Sequence, residues 1–125
     1  MDNILHKTVN AFNRRDFSEA VRQSSEGLTS ARGRDEAFWM GLLDACEGYE
    51  HLVGNRMMKA EAKLIASMQK LRNFGFRYND LEVTAALAGI RLAVEEIRAV
   101  RQEKKKIFDV SLLPQLRLAA KADIH

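Results

Sequence analysis

The seventeen residues from Ala37 to Val53 constrain this chain more than any other stretch. On a helix of about 3.6 residues per turn, Phe38, Trp39, Leu42, Leu43, Ala45, Cys46, Tyr49, Leu52 and Val53 occupy one half of the circumference, while Asp44, Glu47, Glu50 and His51 fall outside it. So broad an apolar face needs several neighbours, which predicts the central helix of a small all-α domain. Gly41 and Gly48 sit a heptad apart on the edge of that arc, where missing side chains let a neighbouring helix come close.

The rest of the chain supplies those neighbours. Ile4, Leu5, Val9 and Phe12 recur at helical spacing over Asp2 to Asn13. Asp16 followed by Glu19 reads as an acidic capping box that starts a second helix at Phe17, with Ala20, Val21, Ser24, Leu28 and Ala31 on its stripe. Gly33 suits the left-handed position that ends it. Gly54 closes the central helix, and Asn55 is expected to cap a fourth one from about Arg56 to Arg72, with Met57, Ala60, Leu64, Met68 and Leu71 buried. So short a link turns the fourth helix back antiparallel to the third. Asn79 with Glu82 reads as a second capping box, opening a fifth helix that runs to about Glu103.

That fifth helix is apolar on two sides. Val83, Ala86, Leu87, Ile90, Ala93, Val94 and Ile97 form the wide stripe, and Leu81, Ala85, Ala88 and Leu92 a narrower one opposite. One stripe suffices to join the bundle, so the second marks an interaction surface. Arg98, Arg101 and Lys104 to Lys106 crowd the helix end, where cations complement its dipole. Residues 107–125 carry Leu112, Leu113, Leu116 and further apolar side chains. This segment is expected either to fold back over the small-residue stripe, with Pro114 in the first turn of a short terminal helix, or to dock on a partner. The organisation predicted is one bundle of about five helices built from antiparallel hairpins over residues 1–106, with an apolar segment over 107–125 packed on it or on a partner.

Composition narrows the function classes. A chain of 125 residues with 46% apolar and 30% charged residues has the balance of an ordinary globular domain. The first residues lack a basic stretch followed by an apolar run, and eighteen apolar residues never occur in succession, so a cytoplasmic, unanchored protein is expected. Cys46 is the single cysteine, which excludes an intrachain disulfide and a multi-cysteine zinc site and reads as a packed thiol. The net charge of +3 conceals halves of opposite sign. Residues 1–54 hold six Lys/Arg against nine Asp/Glu, and residues 55–125 fourteen against eight.

Three classes of chemistry deserve comparison. Metal or acid–base work would draw on His51, Glu47 and Asp44, which share a helix face at i−4 and i−7; two or three such groups hold a divalent ion only if another element adds ligands, and an exposed ion pair is the alternative reading. No serine has a glycine elbow around it, and no phosphate-cradling glycine loop occurs. Arg72, Phe76 and Arg77, interleaved with Phe74 and Tyr78, could stack bases and hold phosphates of RNA or single-stranded DNA. Aromatics in such a connector otherwise plug the end of a bundle. The balance favours a non-catalytic cytoplasmic interaction or scaffold module using Leu81, Ala85, Ala88, Leu92, Leu112, Leu113 and Leu116. No cofactor is expected. The expected partner is protein, a second copy included, rather than nucleic acid, a membrane or a small molecule.

Residues 12–60 also resemble a family of small bacterial and archaeal helical proteins, the domain-of-unknown-function family number 309. The resemblance rests on Phe12-Asn13, on Phe17, Glu19 and Ala20, on Phe38, Gly41-Leu42-Leu43, Tyr49, His51-Leu52 and Gly54-Asn55, and on Ala60. The family usually continues its second helix with a histidine, glutamates and a tryptophan, where this chain has Val21, Arg22, Ser25 and Leu28. The resemblance implies a compact bundle akin to helical-hairpin repeats, with no assigned activity, and a family site in the second helix would be lost here.

Overall fold

The structure, a computed structural model, describes residues 3–102 and 113–119. It is an all-α bundle of five helices: α1 (Ile4–Asn13), α2 (Phe17–Ser30), α3 (Arg34–Val53), α4 (Met57–Leu71) and α5 (Val83–Arg101). A single 3-10 turn (Arg72–Phe74) and a two-stranded hairpin, β1 (Arg77–Tyr78) and β2 (Leu81–Glu82), join α4 to α5. Helix α3 lies between α2 and α4, α1 packs on α2, and α5 packs on α4. Phe38, Leu42, Cys46 and Tyr49 of α3 are fully buried, as the broad arc requires, and Trp39 lies against Gly27 of α2. Two members of the arc depart from it: Leu43 is half-buried and Val53 is exposed, because the helix ends there and its last turn has no neighbour on that side.

Close approach of α3 and α4 follows from the glycines. A Cβ on Gly48 would stand 2.7 Å from the Leu64 side chain, and the Ser67 hydroxyl donates to the Gly41 carbonyl at 2.7 Å, a bond possible only where backbones nearly touch. At the far end Arg98 and Arg101 of α5 both bind Glu61 of α4, the first at 2.8 Å, so the basic helix end is tied to the bundle as well as suited to its dipole. Lys104 to Lys106 lie outside the described residues.

The helix ends differ from the sequence reading in instructive ways. Asp16 caps α2 as expected, accepting from the Glu19 amide at 3.2 Å, but Glu19 does not reach back. Its carboxylate binds Arg22 and Gln23 instead, and the Asp16 amide is already spent on the Ala11 carbonyl. Gly33 does not close α2; with φ 61° and ψ −133° it precedes the first turn of α3. Asn55 does not cap α4 but takes the left-handed position after α3, at φ 63°, with the Asn55 and Arg56 amides bonded back to Leu52 and His51. Asn79 and Asp80, both left-handed at φ 48° and 70°, form the two-residue turn of the β1–β2 hairpin. Helix α5 therefore starts at Val83, and the expected capping box there is absent. Turns of this mirror-image kind match the twist of paired strands and favour Asn and Asp.

Residues 113–119 are extended, so Pro114 does not start a helix. A proline biases the residue before it toward extended backbone, and the Leu116 and Ala119 amides that follow are taken up by the Asn13 side chain and the Asp80 carbonyl instead of a helical ladder. Leu118 bridges antiparallel to Leu81, the Glu82 amide donates to the Arg117 carbonyl at 2.9 Å, and the Ala119 amide donates to Asp80. The segment is in effect a third strand laid along β2. Among the described residues no helix is long and apolar enough to cross a membrane.

Candidate functional site

The α1–α2 corner, β2 and the first half of α5 enclose a groove, and residues 113–119 occupy it. The corner is made by Arg15, whose left-handed backbone (φ 67°) lets α1 end and α2 begin with only Arg14, Arg15 and Asp16 between them. From there two polar side chains reach the segment. Asn13 grips Leu116 in both directions, its Nδ2 donating to the carbonyl at 3.0 Å and its Oδ1 accepting from the amide at 2.9 Å. Arg15 spreads its guanidinium over the Pro114 carbonyl at 2.6 Å and the Leu113 carbonyl at 2.8 Å. The opposite wall is α5, where Gly89 leaves room for proline: a Cβ there would stand 2.7 Å from Pro114 Cβ.

The groove floor holds Tyr49, whose ring meets Phe12 edge-on at 5.0 Å and stacks near Phe17 at 6.0 Å. Its hydroxyl is buried, finds no protein hydrogen-bond partner, and lies 4.0 Å from the position of a Gly89 Cβ. Burial raises its pKa, so the phenol stays protonated and remains a donor. An orphaned buried hydroxyl costs about 1–3 kcal/mol.

The structure divides the residues expected to form the interaction surface. Leu113 and Leu116 are buried in the groove, and Leu112 lies outside the described residues. Leu81, expected at the surface, is fully buried in the core, because it belongs to β2 and is covered by its pairing with Leu118. Ala85 is half-buried and Ala88 exposed, and Leu92 is 58% exposed. The segment thus crosses α5 at Gly89, beside the small-residue stripe, and leaves Ala88 and Leu92 open. Next to them Phe76 is 84% exposed on a fixed backbone, since its carbonyl accepts the Val83 and Thr84 amides of the first turn of α5. Phe76, Arg77, Glu82, Thr84, Ala85, Ala88 and Arg117 line a cleft of about 670 Å³. The periodicity signalled this face; nothing in it signalled Asn13 or Arg15, whose roles depend on a segment about a hundred residues away, or Gly89, whose role depends on Pro114.

The other candidates come apart. Asp44 and Glu47 face α4, where Lys63 binds Glu47 at 3.0 Å and Asp44 at 3.6 Å, and Lys70 binds Asp44 at 2.6 Å. His51 turns to Arg56, its Nδ1 accepting from Nε at 2.8 Å, and its pKa is lowered by burial and by the Arg56 and Lys59 charges. Among the described residues no three metal-ligating side chains converge. Phe74 and Tyr78 meet Phe38 at 5.6 and 4.9 Å, with Arg34 over the Phe74 ring at 4.7 Å and the Tyr78 hydroxyl on Asp35. These two rings plug the end of the bundle, and only Phe76 points away from it. Arg72 is exposed, whereas Arg77 is paired with Glu82 at 3.0 Å. At the positions where the resembled family carries its histidine, acids and tryptophan, Val21, Ser25 and Leu28 are part-buried and Arg22 binds Glu19 and Glu26.

Against this geometry, comparison with protein-family models, with curated proteins and with solved structures finds no match to the chain.

Proposed function

We propose that this chain is a non-catalytic cytoplasmic interaction module that engages another protein through the face formed by Phe76, Ala88 and Leu92. The observation that carries this reading is the exposed Phe76 ring, held by main-chain bonds beside an open apolar stripe and a 670 Å³ cleft. Large apolar side chains grouped on a rigid surface are what protein interfaces present at their centres. At the cleft Arg77 and Glu82 neutralise each other, and away from it the Asp44, Glu47 and His51 side chains are bound to cations of α4 and its preceding turn. The resemblance to helical-hairpin proteins fits a scaffold role.

The test is a double substitution, Phe76→Asp with Leu92→Asp. Both side chains are exposed, so the helical spectrum and melting temperature should stay near those of the wild type, whereas a partner captured by the wild-type chain from its native host should be lost. Equal capture by both proteins would move the interface elsewhere. Retention on an RNA column that falls steeply with salt, together with loss on Arg72→Ala, would replace this reading with nucleic-acid binding.

A further inference from the structure

We propose that the groove now holding residues 113–119 is a receptor for an extended apolar segment of another protein, one that presents leucines at the spacing of Leu113, Leu116 and Leu118 and a proline at the place of Pro114, and that the chain's own segment is its resident competitor. The inference rests on the reading of the chain as an interaction module and names a second partner surface, distinct from the Phe76 face.

Three observations lead to it. First, the contacts that hold the segment are main-chain directed. Asn13 reads one amide and one carbonyl, Arg15 reads two carbonyls, and β2 adds the Arg117 carbonyl through Glu82. Such a set accepts any extended strand and leaves selectivity to the side-chain sites for two leucines and to the flat seat on Gly89, the division of labour of strand-addition recognition. Second, the occupant is an imperfect ligand. The Tyr49 hydroxyl, 4.0 Å from the Gly89 Cβ position that Pro114 also crowds, is left unpaired, and a competing segment that brings an acceptor within its reach gains a bond that the resident segment lacks. Third, the segment is held at the edge of the bundle, crossing α5 at Gly89. Only Leu113 and Leu116 of it are deeply buried, while Gln115 and Arg117 are exposed, so it can leave without dismantling the bundle.

Covalent attachment explains why the segment is home. From Gly89 to Gln102 the helix rises about 20 Å, and the ten residues that separate Gln102 from Leu113 reach up to about 33–36 Å. The groove is thus within reach of its own segment, at an effective concentration on the order of millimolar. A foreign segment must outcompete that tether, so its apparent affinity is set by the fraction of chains in which the groove is open.

The experiment uses the full chain and a capped synthetic peptide of residues 112–119, Leu-Leu-Pro-Gln-Leu-Arg-Leu-Ala. Leu116→Asp should eject the resident segment. The peptide should then bind this variant at least about ten-fold more tightly than the wild type, because the tether no longer competes. Adding Asn13→Ala should remove about ten-fold of that affinity, the worth of two hydrogen bonds. Absence of peptide binding to a Leu116→Asp chain that keeps its helical spectrum and cooperative melt would overturn the proposal. Should that variant not fold, hydrogen exchange of the wild type decides. The Leu116 and Ala119 amides should exchange at least about ten-fold faster than that of Leu42, through an opening smaller than global unfolding, and equal rates would mean the segment never leaves. A wild-type dimer in sedimentation that Leu116→Asp dissolves would assign the groove to a second copy instead and overturn the foreign-segment assignment. None of these readouts involves Phe76, Ala88 or Leu92, so this inference and the proposed function fail separately.

Discussion

Single residues in this fold behave according to what surrounds them rather than to type. Cys46 is fully buried in α3, and burial pushes its thiol up to about 12, which makes it a packing group as its place on the apolar arc suggested. Glu19 shows the opposite case. The Arg22 guanidinium and the Gln23 amide bind its carboxylate and hold its pKa down at about 2. A carboxyl whose folded pKa is depressed stabilises the fold above its unfolded value of about 4.5 and loses that contribution as pH falls toward 2. Arg22→Ala should therefore lower the urea midpoint at pH 7, and the gap between variant and wild type should narrow by pH 2.5. A gap of the same size at both pH values would show that Glu19 gains nothing from Arg22.

At the level of elements, the helices were legible because each one's buried stripe is a property of its own sequence. Leu5, Val9 and Phe12 face the core whatever α1 packs on, and the same holds for Leu64 and Leu71 in α4. That some helix comes close to α3 at Gly41 and Gly48 was legible too, and the fold makes that neighbour α4. Gly48→Ala should test it. Alanine improves helix propensity by up to about 1 kcal/mol, yet its methyl would meet Leu64 at 2.7 Å, and overpacking of that kind costs about 1–3 kcal/mol. A net loss of stability in chemical denaturation is expected; a gain would mean the two helices stand further apart. The joints were read less well. Asn55 and Asn79 have side chains suited both to capping a helix and to a left-handed turn, and the local sequence does not choose between the two. For Asn79 the choice is made by β1 pairing with β2, to which Leu118 adds a bridge from the other end of the chain. For Pro114 it is made by Asn13 and Arg15, which carry no signal until their partner is in place.

For the whole molecule the consequence is that residues 113–119 close the structure. They join the α1–α2 corner to α5, two parts that are far apart in the chain order, and they cover Leu81 and Gly89. Deleting 107–125 should leave five helices with a lower melting temperature and newly exposed apolar surface, seen as increased binding of an apolar dye. Unchanged dye binding and an unchanged melting temperature would mean that the groove closes over by itself.

Asn13 and Leu116 stand 103 positions apart, and ribosomes add about 5–20 residues per second. The groove has its walls only once Gly89 is made, 27 positions before Leu116, so during synthesis it stands on the order of 1 to 5 s before the strand it grasps exists. Throughout that interval a nascent chain offers an empty clasp to whatever lies nearby, so a companion that waits at the ribosome meets no rival.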